Sequence, residues 1–161
     1  MAQMMVFHIP NDPALLAAFG EVALRHEHLS HILRMTIKTL ASLEVDEALD
    51  ATAFDGASHL RDRIRKLAKQ RLGEGPALLR LQAILERCRR ATDRRNDFVH
   101  SVWTRELDGE PMRRNGSSSW LPIPSVEQLQ ALSRELLELT LELNHARLEG
   151  FIQEALRHSK P

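Results

Sequence analysis

From Leu15 to Leu40 apolar side chains recur at steps of three and four residues, through Leu16, Phe19, Val22, Ala23, Leu29, Ile32, Leu33 and Ile37. That spacing predicts one amphipathic helix over about 12–44, because only a 3.6-residue period brings these positions onto one face. Asn11-Asp12-Pro13 supplies a cap and a first-turn proline to start it. So long a stripe can be buried only against other helices of similar length.

The chain provides them. Leu60, Ile64, Leu67, Ala68 and Leu72 predict a second helix, stopped by Gly73-Glu74-Gly75-Pro76. Leu78, Leu81, Ile84, Leu85, Cys88 and Ala91 predict a third, continuing through about Val102. Ser125 and Gln128 form a capping-box pattern that opens a last helix to about residue 158, carried by Leu129, Leu132, Leu136, Leu139, Leu143 and Leu148. Asp46 to Phe54 reads as a short helix or turn. Residues 103–124 break the pattern with Asp108-Gly109, Asn115-Gly116 and three prolines, which predicts a small hairpin or ordered loop. No internal repeat appears. The expected fold is therefore all-α: one domain over 1–161, an up-and-down bundle of four main long helices with an insertion at 103–124. The two outer helices should each run about 50 Å at 1.5 Å per residue.

Composition agrees with helices, since aromatics are 4% and tyrosine is absent while leucine, alanine, glutamate and arginine dominate. Cys88 is the single cysteine, which excludes an intrachain disulfide and a cysteine-rich metal cage. The N-terminus has no basic start or long apolar run, so no secretory leader is expected. No segment has the length of a membrane span, and the expected location is the cytoplasm.

Net charge is zero, yet the charge is unevenly spread. Residues 1–60 carry three basic and eight acidic side chains; residues 61–95 carry twelve basic and four acidic; residues 96–161 carry seven basic and ten acidic. The basic middle third could offer phosphates a positive surface, or it could face the acidic helices inside the bundle.

The chemistry gathers at RRNDFVHSVW, residues 94–103. On a helix Asn96, His100 and Trp103 share one face. Arg95 follows Cys88 and Ala91 on the stripe that should face the core, where an unpaired charge is costly. It needs a carboxylate, a cleft or a subunit seam; Glu27 is one possible partner across the bundle.

Arg95-Asn96-Asp97-Phe98-Val99-His100 resembles the R-x(4–6)-H motif of the HEPN superfamily, in which a polar residue, often asparagine, follows the arginine. Arg25–His31 and Arg94–His100 fit the spacing too, but the asparagine, the helix position and the basic cluster single out Arg95–His100. The resemblance implies a four-helix bundle that dimerises with two motifs across a cleft. It also implies metal-independent cleavage of RNA, without a cofactor, by attack of a 2′-hydroxyl on its own phosphate. Arg95 would hold the phosphorane oxygens, His100 would move protons, and Asn96 would fix the ring or a phosphate oxygen. Arg94, Ser101 and Trp103 would contact the substrate. A partner protein that inhibits the enzyme is a further expectation.

The chain departs from one branch of that superfamily, which has tyrosine two residues after the histidine; Val102 stands here. Asp93 and Asp97 sit beside the motif and could neutralise it. RHEHLSH at 25–31 lacks the second histidine of a metal pair, since Ser30 occupies it, so its histidines should be solvated or at an interface. Trp103 and Trp120 could form a base-stacking flap, or a lid over the bundle end. The rival to a nuclease is a non-catalytic helical dimer that binds a protein or nucleotide.

Overall fold

Helix α1 (Pro13–Ala41) starts where the Asp12 carboxylate accepts a hydrogen bond from the Leu15 amide at 3.1 Å. It ends at Ser42, whose φ of 56° turns the chain out of the helix while Leu43 N–H donates to Lys38 O. The computed structural model describes residues 4–116 and 119–159. Within them follow α2 (Val45–Ala51), α3 (Ala57–Leu72), α4 (Pro76–Val99), α5 (Val126–Leu148) and α6 (Phe151–His158). Leu15, Val22, Leu29, Leu33, Ile37 and Leu40 bury the predicted α1 stripe, which packs mainly along α5 and α3. Leu60 and Ile64 of α3, Leu81 and Leu85 of α4, and Leu129, Leu136 and Leu143 of α5 join it in one core cluster. Among the described residues no helix is long and apolar enough to cross a membrane.

The protein is mostly helical but not all-α. Four short strands form an antiparallel sheet in the order β1 (Met5–Phe7), β2 (Val102–Glu106), β3 (Met112–Arg114) and β4 (Leu121–Pro122). The hairpin expected over 103–124 is present as β2–β3, with Trp103 opposite Arg113. The N-terminal strand pairs Met5 with Glu106 and Phe7 with Thr104, a contact across a hundred residues that local periodicity cannot announce. The sheet also corrects the end of α4. That helix stops at Val99 with His100 as its cap, because Val102, Trp103 and Thr104 are branched or aromatic and take up ladder pairing with β3, and Thr104 with β1 as well. Asn96, His100 and Trp103 therefore do not share a helix face.

The last helix is also shorter than expected. Glu149 and Gly150 both donate to His145 O, at 3.1 and 2.9 Å, and end α5 before α6 starts. A Cβ on Gly150 would stand 3.1 Å from Ala146 Cα and 3.2 Å from His145 O, so the tight exit uses glycine. At 29 and 23 residues, α1 and α5 are about 44 and 35 Å long rather than 50 Å.

Candidate functional site

The last three turns of α4 place Cys88 and Thr92 in the interior and Arg95 where that buried stripe meets α1 and α3. A polar cleft of about 640 Å³ opens there, walled by His26 and Glu27 of α1, Arg61 of α3, and Thr92, Arg95 and Asn96 of α4. Arg95 donates from Nη1 to Asn96 Oδ1 at 2.9 Å, while its buried Nε has no partner. Among the described residues Arg95 has no ion pair, although its neighbours do. Arg89 binds Glu86 and Asp93 at 2.7 and 2.6 Å, and Arg94 binds Glu135 of α5.

The adjacent carboxylates are engaged elsewhere. Asp93 is held by Arg89, and Asp97 by Arg113 at 2.6 Å. Glu27 approaches the His26 Nδ1 to 3.9 Å rather than pairing with Arg95. Neither aspartate therefore neutralises Arg95 by direct contact.

His26 and Arg61 are parts of this cleft that the sequence reading missed. His26 is 6% exposed and its Nε2 lies 3.2 Å from Thr92 Oγ1, so this histidine, expected to be solvated or at an interface, is interior. Burial lowers its pKa to about 4, and the Arg95 charge pushes the same way, opposed by Glu27. Arg61 is 5% exposed, with Nε and Nη1 buried and unpartnered. Burial likewise lowers its pKa from the ordinary arginine value. A sequence cue existed: Arg61 interrupts the Leu60, Ile64, Ala68 stripe as Arg95 interrupts that of α4.

The other sequence-chosen residues lie apart from this cleft. His100 caps α4 through its amide, donating to Asn96 O at 2.9 Å, and its exposed side chain is not in the cleft wall. The Ser101 hydroxyl donates to Asp97 O and accepts from Arg113 Nη1 at 3.3 Å. Trp103 on β2 meets Phe19 edge-on, ring centres 5.4 Å apart at 85°. It lines, with Phe7, Phe98 and Val102, a separate apolar cavity of about 290 Å³ at the bundle end. Arg114 lies 5.7 Å from the Trp120 ring centre. Arg94 and Arg87 turn to Glu135 and Glu142, so part of the basic α4 faces acidic α5.

One chain thus unites Arg95 and Asn96 with His26 and Arg61, and leaves His100 outside. Compared with protein-family models, with curated proteins and with solved structures, the chain matches none.

Proposed function

We propose that this chain is a metal-independent endoribonuclease of HEPN type, an up-and-down bundle of four main helices acting as a homodimer. The observation that carries the reading is the Arg95 guanidinium, held at a polar cleft without a carboxylate while Arg89 and Arg94 before it on the helix are paired. A structural arginine at a buried seam would be expected to have an acidic partner. An arginine free of one can hold a phosphate, and its planar fork suits the oxygens of a phosphorane.

In the proposed reaction the RNA 2′-hydroxyl loses its proton to one imidazole as its oxygen attacks the adjacent phosphorus. The P–O5′ bond breaks, and a second imidazole protonates the leaving 5′ oxygen. The products are a 2′,3′-cyclic phosphate and a 5′-hydroxyl. His100 is the proton carrier, and the second copy brings its own His100 to the composite site. Asn96 orients Arg95 through the hydrogen bond between their side chains. Arg94, Ser101 and Trp103 remain proposed substrate contacts, the first of these requiring exchange of its Glu135 partner. An inhibitory partner protein would act by covering the same surface.

The exposed position of His100, outside the wall that holds Arg95, favours a second reading: a non-catalytic helical dimer that binds a nucleotide or protein. Incubation of the full chain with structured and single-stranded RNA, with and without EDTA, separates the two. Cleavage that survives the chelator and is lost in His100→Ala supports the nuclease. Absence of cleavage from every RNA, with binding retained, selects the binding module.

A further inference from the structure

Two guanidiniums face the same cleft from different helices, and neither has a carboxylate partner among the described residues. Arg95 comes from α4 with a buried, unpartnered Nε; Arg61 comes from α3 with two such nitrogens, Nε and Nη1. Arg61 is 95% buried by its 5% exposure, so bulk water does little to screen it. The wall's two aspartates do not compensate, and Glu27, 3.9 Å from His26 Nδ1, is its one carboxylate without an arginine among the described residues. Asp55 at the rim is bound by Arg63 at 2.7 Å, and Asp93 by Arg89 at 2.6 Å. His26 is neutral at pH 7, its pKa being held down to about 4 by burial.

A cleft with this wall offers guanidinium N–H donors, the Thr92 hydroxyl and the Asn96 amide to an anion with several acceptor oxygens. Tetrahedral phosphate matches two guanidiniums better than a planar carboxylate, which one fork would saturate. The volume of about 640 Å³ lies within the range of small-ligand sites and exceeds the need of a single inorganic ion.

We propose that the cleft between α1, α3 and α4 is a phosphate-binding pocket in which Arg61 supplies the second guanidinium opposite Arg95, taking the phosphate group of a nucleotide or of RNA. The proposal rests on the reading of Arg95 as a phosphate ligand given above and adds Arg61, on another helix, as a binding residue. It does not need cleavage to occur.

The test is isothermal titration of the full chain with inorganic phosphate, a nucleoside 5′-monophosphate, a short RNA and acetate, in wild type, Arg61→Gln and Ser58→Glu. Ser58 is exposed on the cleft rim in the first turn of α3, where a carboxylate suits the helix and stands three residues from Arg61. It therefore blocks the pocket in a folded chain even if Arg61→Gln unfolds, which circular dichroism checks. The expected result is binding of the phosphate-bearing ligands over acetate, weakened about tenfold or more in each folded variant, as loss of a charge-assisted contact requires. A nucleotide binding more tightly than inorganic phosphate marks the free nucleotide as the source, and RNA binding more tightly than either marks the polymer. Acetate binding as tightly as phosphate, no binding of any phosphate ligand, or affinity unchanged in Ser58→Glu would overturn the pocket. RNA cleavage measured in parallel keeps the two ideas apart. Phosphate binding without cleavage leaves the pocket standing and ends the nuclease reading. Cleavage with no phosphate binding does the reverse.

Discussion

The His26 imidazole of α1 and the Thr92 hydroxyl of α4 meet inside the cleft, Nε2 to Oγ1 at 3.2 Å, joining helices 66 residues apart in sequence at these positions. The contact holds a neutral ring in the same cleft wall as two cationic side chains, Arg95 and Arg61, with Glu27 as the single opposing charge among the groups that shift it. A second proton on that ring is opposed first by burial and then by Arg95.

This arrangement makes stability sensitive to mild acid. Unfolded His26 takes up its proton below about pH 6.5, whereas the folded ring does so only near 4. Between these values the unfolded chain binds more protons, so stability is full above pH 6.5 and falls as pH drops toward 4. The gap corresponds to roughly 3 kcal/mol at most. Urea unfolding at several pH values should show this loss in the wild type and a shallower slope in His26→Gln. Equal slopes in the two proteins would remove His26 as the cause.

Arg113 should anchor the sheet to the bundle. It is 8% exposed, donates to Asp97 Oδ2 at 2.6 Å and Pro122 O at 3.1 Å, and lies 5.0 Å from the Phe98 ring centre. Arg113→Ala leaves Asp97 without its charge partner and removes the cation from the ring. A loss of about 2 kcal/mol is expected, less than for a fully buried pair because Asp97 is half-buried. Arg113→Lys should recover only part of it, since an ammonium cannot serve both acceptors in the same plane. Hydrogen exchange should rise in β2 and β3 before it rises in α5. Uniform destabilisation across the bundle would contradict the anchoring role.

How much of this was legible in advance follows from the range of each interaction. The α1 stripe, the glycine-proline stop after Leu72 and the Ser125–Gln128 capping box act within a few residues, and all three are in the sequence pattern. The β1–β2 pairing is not, because Met5 and Glu106 meet only after the bundle folds. Trp103 leaves the helix through the local β2–β3 hairpin instead, where it stands opposite Arg113. Arg95 on an apolar line was legible as an anomaly, and so was Arg61 on its own line. Their convergence on one cleft was not, since it depends on how α3 and α4 pack.

The proposed homodimer makes a prediction about the bundle end near His100. Phe7 is 89% and Ile9 81% exposed, and Val102 is also exposed on the neighbouring strand. Apolar groups at that density beside the motif are suited to a second copy. Light scattering at micromolar concentration should give twice the chain mass, and Phe7→Asp should shift it toward one. A wild type that stays monomeric removes the composite site. A dimer unchanged by Phe7→Asp places its interface elsewhere on the protein.

The catalytic proposal turns on Arg95 and His100 acting together although His100 is exposed and not in the wall of the Arg95 cleft. Arg95→Ala and His100→Ala should each reduce RNA cleavage by about a hundredfold or more, the size of a lost phosphate clamp or proton carrier. Arg95→Lys should rescue poorly, because the hydrogen bond from Nη1 to Asn96 Oδ1 and the remaining fork face both require a guanidinium. Asn96→Ala should have a smaller effect, felt through the aim of Arg95. Mixing Arg95→Ala with His100→Ala chains gives the sharper measurement, because a mixed dimer keeps one Arg95 and one His100. A composite site that uses the His100 of both copies stays inactive in the mixture. Regained activity would overturn the two-histidine site and show that one imidazole suffices, supplied by the copy that does not supply the arginine. Thermal unfolding of each variant, run beside the assay, separates a lost site from a lost fold. Cleavage undiminished in folded Arg95→Ala and His100→Ala would assign the activity to other residues and leave the binding module as the function.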